Sequence, residues 1–452
     1  MRMLIPGCLL FLVAGCAGPD PHLAHPGTPV APVTDEVAPF PAVPDAPMSI
    51  EQAISLALAE SARLDPYRIG MQVAREEKNA ARDLQDPEIR FAYGESKRTE
   101  KLALGTEQES HQRYRGVLRI FPPNPWVRNA VSKAGDARIQ LAAANMRAAE
   151  IEVAARVHEL FQKVRRRRAE REILQRIFDV RREQLEQTEE RLSRGAGTSP
   201  DVLMARIDSL DARMDSEKAL IDQQRAITDL AAYLGFEDGN ALELAFPPIP
   251  PPADWDLEML TARAFDRRSD LAAVDWRAET ARWDLSAARR VSVPWFEHIQ
   301  GAYTEEDRAD VDEDSWSVQA AVELPLFSFR NSDVGIAEAE LEQFRADAER
   351  ARAQVRAEVR RNLAQLRQAR TELDRFKQET APVLEELTAS LASDVGNTLS
   401  PDDRADLLEG ILKAEQLRLE SVLAYQRAWI ELQIAIGSDW LIQPTNDAPG
   451  NE

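Results

Sequence analysis

Cysteine is almost missing from this 452-residue chain: only Cys8 and Cys16 occur. Everything after Cys16 therefore lacks a thiol, which excludes disulfides, cysteine catalysis and thiolate metal sites there. Aromatic residues make up 6% of the chain and glycine only 19 residues, while 29% of residues are charged. That balance suits long solvent-bathed helices better than a thick globular core. No apolar run approaches the ~20 residues of a membrane-spanning helix, so any crossing of a bilayer has to use strands. Basic residues are outnumbered, with 56 Lys and Arg against 77 Asp and Glu and a formal net charge of -21. Nucleic acid is a poor partner for such a chain, because that affinity rests on basic residues against phosphate. There is no phosphate-cradling Gly-rich loop and no Gly-x-Ser-x-Gly elbow, and His111, His158 and His298 are widely spaced. No catalytic residue, cofactor or metal site is expected.

The first residues have the pattern of a processing signal. Arg2 gives a positive start, and Leu4 to Val13 is mostly apolar but too short to span. Val13-Ala14-Gly15-Cys16 resembles a bacterial lipobox. The resemblance implies a signal peptide over 1–15, cleavage, and acylation of Cys16 as the new first residue. Ala17 in place of Asp then implies sorting to the outer membrane. Residues 16–48 are rich in Pro and Ala and are expected to form an extended tether. His22 and His25 lie within it and have no third ligand nearby, so they read as tether residues.

Beyond the tether, Ser49 with Glu51 and Gln52 behind it marks a helix start. Ile54, Leu58 and Ala62 recur at helical spacing, and the pattern resumes after Pro66 until about Leu84. Two strands are expected next. In the first, over about 87–95, Ile89, Phe91 and Tyr93 share a face. In the second, over about 112–121, Tyr114, Gly116, Leu118 and Ile120 oppose Arg113, Arg115 and Arg119. One apolar face and one charged face is what a strand between lipid and a watery lumen requires. Lys97 to Ser110, polar throughout, reads as an exposed loop.

After Pro122, Pro123 and Pro125, a long helix is expected from about Trp126 to Leu192, interrupted by no Pro and one glycine, Gly135. Val153, Val157, Leu160 and Val164 give it an apolar stripe. At ~1.5 Å per residue it would reach roughly 100 Å, so it has to pair with other helices. Arg165 to Arg168 is followed by Glu170 and Glu172 and reads as a solvated face. Arg191 to Leu203, RLSRGAGTSPDVL, turns the chain into a return helix from Pro200 to Leu234 that stops at Gly235. A Pro-rich linker, 247–253, follows.

The order of elements then repeats. Ala80-Ala81-Arg82 before Pro87 returns as Ala287-Ala288-Arg289 before Pro294. Strands are expected at about 294–304 and 315–325, the latter with Trp316, Val318, Ala320, Val322 and Leu324 on one face. A long helix from about Val334 to Ala392 leads to a second tip, Gly396 to Leu408, and a return helix stopping at Gly437. The chain is read as one unit written twice, over 49–246 and 254–441, with a tail at 442–452.

This duplicated plan resembles the TolC-like family of outer-membrane efflux proteins. Arg191, Gly195, Thr198, Asp201, Val202 and Leu203 are similar to the family's tip pattern, R-x-x-x-G-x-x-[ST]-x-x-D-[VL]-L. Val322-Glu323-Leu324-Pro325-Leu326-Phe327 is similar to its strand-to-helix signature. Leu230 to Gly235 and Leu432 to Gly437 resemble its helix endings. The second tip departs: it has no basic residue at the Arg191 position, and extra residues separate Gly396 from Asp406-Leu407-Leu408.

The resemblance implies a mainly α protein with a membrane β-barrel. Four strands cannot enclose a lumen alone. The family implies a homotrimer with a 12-stranded barrel in the outer membrane of a Gram-negative bacterium, continued by a helical tunnel in the periplasm. It also implies passive conduction from an inner-membrane pump through a periplasmic adaptor, and lipidation favours a resistance-nodulation-division type pump. The channel of a type I protein secretion system is the alternative in the same class. A lipidated periplasmic adaptor or scaffold with helical hairpins is the alternative in another. Asp201, Asp406 and Glu409 match the family's periplasmic gate, though each acid also suits the first turn of a helix. Arg191, Gly195, Thr198, Gly396 and Ser400 are the implied adaptor contacts.

Overall fold

The computed structural model describes residues 47–81, 83–102, 105–236, 242–246, 255–308, 311–324, 331–391 and 399–438. The expected signal peptide, Cys16, His22, His25, the linker at 247–253, Pro325 to Phe327, Gly396 and the tail at 442–452 lie outside the described residues.

Helix α1 (Ile50–Glu60) opens on a reciprocal cap. The Ser49 hydroxyl accepts from the Gln52 N–H, and the Gln52 side chain accepts from the Ser49 N–H at 2.9 Å. Helix α2 (Asp65–Ala80) follows, then a hairpin of β1 (Glu88–Leu102) and β2 (Gly105–Ile120). Rod α3 (Pro125–Ser193) leads away from the hairpin and α4 (Ser199–Leu234) returns along it. The second set comprises α5 (Leu257–Arg267), α6 (Ser269–Val291), β3 (Trp295–Arg308) and β4 (Val311–Glu323). Rod α7 (Asn331–Arg375) passes through one π-turn, Phe376–Thr380, into α8 (Ala381–Leu391), and α9 (Pro401–Ala435) completes the order.

One sequence expectation is corrected here and another gains detail. The loop expected over Lys97 to Ser110 is strand at 97–102 and 105–110, with pairing unbroken from Glu88↔Arg119 to Leu102↔Gly105. A paired ribbon satisfies its own backbone, so it can extend through polar sequence that carries no apolar alternation. The long helix expected from about Val334 to Ala392 is present and contains the π-turn, in which the Ala381 N–H donates to the Phe376 carbonyl.

The four strands form one antiparallel sheet in the order β1-β2-β3-β4. Cross-strand partners share a face. Ile89, Leu118, Gly301 and Val318 form one row across the sheet, and Phe91, Gly116, Tyr303 and Trp316 form the next. Their large apolar members are exposed, Trp316 at 81% and Phe91 at 79%. The opposite face carries Glu88, Arg119, Gln300 and Gln319 in one row, and Gly94, Arg113, Glu306 and Glu313 in another.

Among the described residues, apolar cores at several levels hold the helices together. Around the start of the described chain, α1, α3 and α4 enclose Ile50, Ala53, Val157, Phe161 and Leu230 with Phe236 and Leu244. Met48 and Leu244 tie the incoming chain to the segment after α4 as a parallel bridge. In the second set, Leu260 of α5, Val359 and Leu363 of α7, and Trp429 and Leu432 of α9 are buried together. Nearer the tips, Ile173 and Ile177 of α3 meet Ala212 of α4 and Leu412 of α9. Rod α3 thus packs on both return helices.

Candidate functional site

The first tip is a helix end followed at once by a helix start. Gly195 sits at φ +76°. The Ala196 N–H donates to the Arg191 carbonyl and the Gly195 N–H to that of Leu192, both at 2.9 Å. This is the Schellman arrangement that closes orphan carbonyls, and it requires a left-handed residue that glycine supplies without strain. Arg191 therefore serves the turn through its backbone. Thr198 caps α4: its hydroxyl accepts from the Asp201 N–H, and the Asp201 carboxylate accepts from the Thr198 N–H at 3.1 Å. Bonding to the Thr198 side chain and then to its backbone, with the nearby Arg191 charge, outweighs burial and holds the Asp201 carboxyl below its ordinary value. Pro200 occupies the first turn of α4, where a missing N–H goes unnoticed.

At the second tip Ser400 caps α9, accepting from the Asp403 N–H at 3.1 Å. Asp406 and Glu409 lie on α9 within reach of Arg181 on α3. The Arg181 guanidinium donates to Asp406 at 3.0 Å, to Glu409, and to Gln184 at 2.9 Å. Gln184 in turn donates to Asp402 at 2.8 Å, and Lys413 pairs with Glu409 at 2.6 Å. Burial acts to raise the Glu409 carboxyl, but bonds to Lys413 and Arg181 outweigh it and hold it below the ordinary value. Asp406 remains 70% exposed, Glu409 only 17%. The two acids that sequence singled out thus share one cation. Arg181 was not singled out, because a lone arginine on a charged helix face has no sequence signature.

Where strands meet rods, Trp126 and Trp295 stack edge to face at 5.3 Å between centroids, and Phe296 joins Trp295 at 5.5 Å. The Trp295 indole N–H donates to the Pro122 carbonyl at 2.9 Å, and Arg290 donates to the Trp126 carbonyl at 3.1 Å. Such amphipathic rings concentrate where a membrane meets water.

One face of α4 has no partner among the described residues. Helix α4 turns Ala205, Ser209, Ala212, Ser216 and Ala219 inward. A second stripe, Leu203, Ile207, Leu210, Met214 and Ile221, is 49–65% exposed. Both stripes follow the spacing of a coiled-coil seam. Among the described residues, no helix is long and apolar enough to cross a membrane, and no cluster of three or more His, Cys, Asp or Glu is placed to hold a metal.

The fold has clear counterparts. A membrane protein from Pseudomonas aeruginosa superposes with a TM-score of 0.66 at 19% identity, covering 88% of this chain and 99% of that one. CusC, described as forming a transmembrane channel, gives 0.67 at 17% identity, with 86% and 92% covered. The open state of the Neisseria gonorrhoeae MtrE outer membrane channel gives 0.64 at 17% identity, with 86% and 88% covered. No curated protein matches the sequence. Residues 53–236 match the family model of the outer membrane efflux proteins. The chain therefore has the TolC-like fold over nearly its whole length, and residues 53–236 are similar to the outer membrane efflux protein family.

Proposed function

We propose that this protein is the outer-membrane channel of a tripartite efflux system, passing substrate from an inner-membrane pump and a periplasmic adaptor to the exterior. The observation that carries the reading is the sheet, with large exposed apolar side chains on one face and arginines and glutamates on the other. In water such an apolar face would be a liability; against lipid it is the stable arrangement. Strands β1 and β4 are open edges, and closing them onto further copies gives a barrel without edges. The exposed α4 stripe supports the same assembly, since a seam of Leu, Ile and Met gains stability only when another helix covers it. A homotrimer follows the family pattern. An adaptor or scaffold reading leaves the apolar sheet face without a use.

Conduction of this kind is passive and calls for no catalytic group. Cys16, acylated, would anchor the chain in the outer membrane as a covalent lipid, and the tips would meet the adaptor through Arg191, Gly195, Thr198, Gly396 and Ser400. In the gate we assign Asp406 the leading part, because its carboxylate is 70% exposed, against 17% for Glu409. Asp201 also serves as a helix cap and Glu409 as the partner of Arg181 and Lys413. Single-channel recording of the purified protein in a bilayer tests both levels. The reading expects a trimeric, cation-preferring conductance, raised and made less selective by Asp406→Ala combined with Glu409→Ala. A conducting wild type whose double variant is unchanged in conductance and preference would remove the gate assignment; a protein that extracts as a soluble monomer would remove the channel.

A further inference from the structure

The polar face of the sheet is not uniformly charged. In the row of Gly94, Arg113, Glu306 and Glu313, the Arg113 guanidinium pairs with Glu306 at 3.0 Å. In the row of Glu88 and Arg119, those two residues pair at 3.2 Å, and Arg90 reaches the same Glu88 at 2.5 Å. Between them lies the row Ala92, Arg115, Thr304 and Ser315. Here Arg115 is the single charge, and no acidic partner lies with it among the described residues. Its direct neighbours across the ladder, Ala92 and Thr304, are short and uncharged.

From this we infer that Arg115 forms an anion-binding belt inside the barrel, taking the phosphate, sulfonate or carboxylate groups of substrates leaving the channel. The inference rests on the channel reading, which brings several copies of this row together around one lumen. A guanidinium recognises such oxyanions through paired N–H donors, and in a water-filled tube its charge is only partly screened. Rings of Arg are a known way to select anions in pores. Among the described residues, the neighbouring Arg90, Arg113 and Arg119 are already paired with acids, which leaves Arg115 available to bind.

The test is blockade of single channels in a bilayer by inositol hexakisphosphate added on the side where the barrel opens. Wild type is expected to show concentration-dependent blockade that weakens with added salt. Arg115→Ala should lose it, Arg115→Lys should keep a weaker form, and Ser315→Glu, which sets an acid in the same row without removing the arginine, should lose it as well. Blockade that persists in both Arg115→Ala and Ser315→Glu, or is absent from a wild type that conducts, overturns the belt. A wild type that forms no conducting channel overturns the channel reading instead.

Discussion

The Arg181 guanidinium on α3 lies 3.0 Å from the Asp406 carboxylate on α9, so one side chain of the first repeat fastens the return helix of the second. It also holds Glu409, and is itself only 14% exposed. Both repeats are thereby tied together close to the tips, where few apolar contacts remain beyond Ile173, Ile177 and Leu412.

Removing that cation should loosen the second tip. Arg181→Ala is expected to destabilise the local structure by about 1 kcal/mol, the scale of a partly exposed ion pair, and to speed amide exchange over 401–412 roughly fivefold. Glu409, whose carboxyl is held below the ordinary 4.5, contributes stability that is complete above that value. That contribution is lost as pH falls through the lowered one. Unchanged exchange in Arg181→Ala would show that the pair is ornamental.

Thr198 and Asp201 act as one cap on α4, so either substitution to alanine should cost about 1 kcal/mol of local stability, whereas Thr198→Ser should restore it. Exchange at the first turn of α4 reads this out. Asp201→Ala that alters channel current but not exchange would place Asp201 in the gate rather than the cap.

Glycines 235 and 437 end their helices alike, at φ +85° and +65°, but their surroundings differ. A Cβ on Gly235 meets nothing within 4 Å, while one on Gly437 would stand 2.9 Å from the Arg268 backbone nitrogen. Gly235→Ala should therefore cost about 1 kcal/mol, the conformational penalty alone. Gly437→Ala should cost clearly more, since it also pushes α9 away from Arg268, which donates to the Ala435 carbonyl at 3.1 Å. Thermal denaturation of the two variants side by side decides it; equal losses would contradict the close packing at Gly437.

His158 is 3% exposed within the α1, α3 and α4 region, and burial lowers its pKa from 6.5 to about 4, against a smaller opposing effect of Glu51. The unfolded chain binds this proton more readily than the folded one. Stability associated with the neutral imidazole is thus full above 6.5 and is lost as pH falls towards about 4, by an amount on the order of 3 kcal/mol. His158→Gln should flatten that part of the pH profile of the unfolding midpoint. An identical slope in the variant would assign the acid loss elsewhere.

Much of this architecture could be read from residue order. Proline and glycine punctuation located the helix ends at Gly235 and Gly437, and alternation located the lipid-like face at Phe91, Leu118 and Trp316. Both signals arise from local backbone geometry, so they survive without tertiary knowledge. The strand ends beyond Glu95 were invisible, because a ribbon paired through its backbone leaves polar side chains free of any pattern. Arg181 was invisible for another reason. Its partners lie more than 200 positions later, and only the packing of α9 onto α3 brings them together. The acids Asp201, Asp406 and Glu409 stood out by position in a motif, yet their bonds to Thr198, Arg181 and Lys413 could not be inferred from position.

The π-turn at Phe376–Thr380 changes which residues look inward along its rod. Upstream, Leu366, Ala369, Leu373 and Phe376 are buried at steps of three and four. Beyond it Thr380, Ala381, Leu384, Leu387 and Leu391 are half-buried, while Val383 stands outside at 52% exposure. An ordinary turn would have placed Val383 inward, seven residues after Phe376. One extra residue thus acts as a gear tooth, advancing the whole lower rod by roughly 100°. Deleting a single residue between Lys377 and Thr380 would let the turn relax to ordinary α-helical geometry while Leu384, then seven residues after Phe376, keeps its inward place and Val383 stays outside.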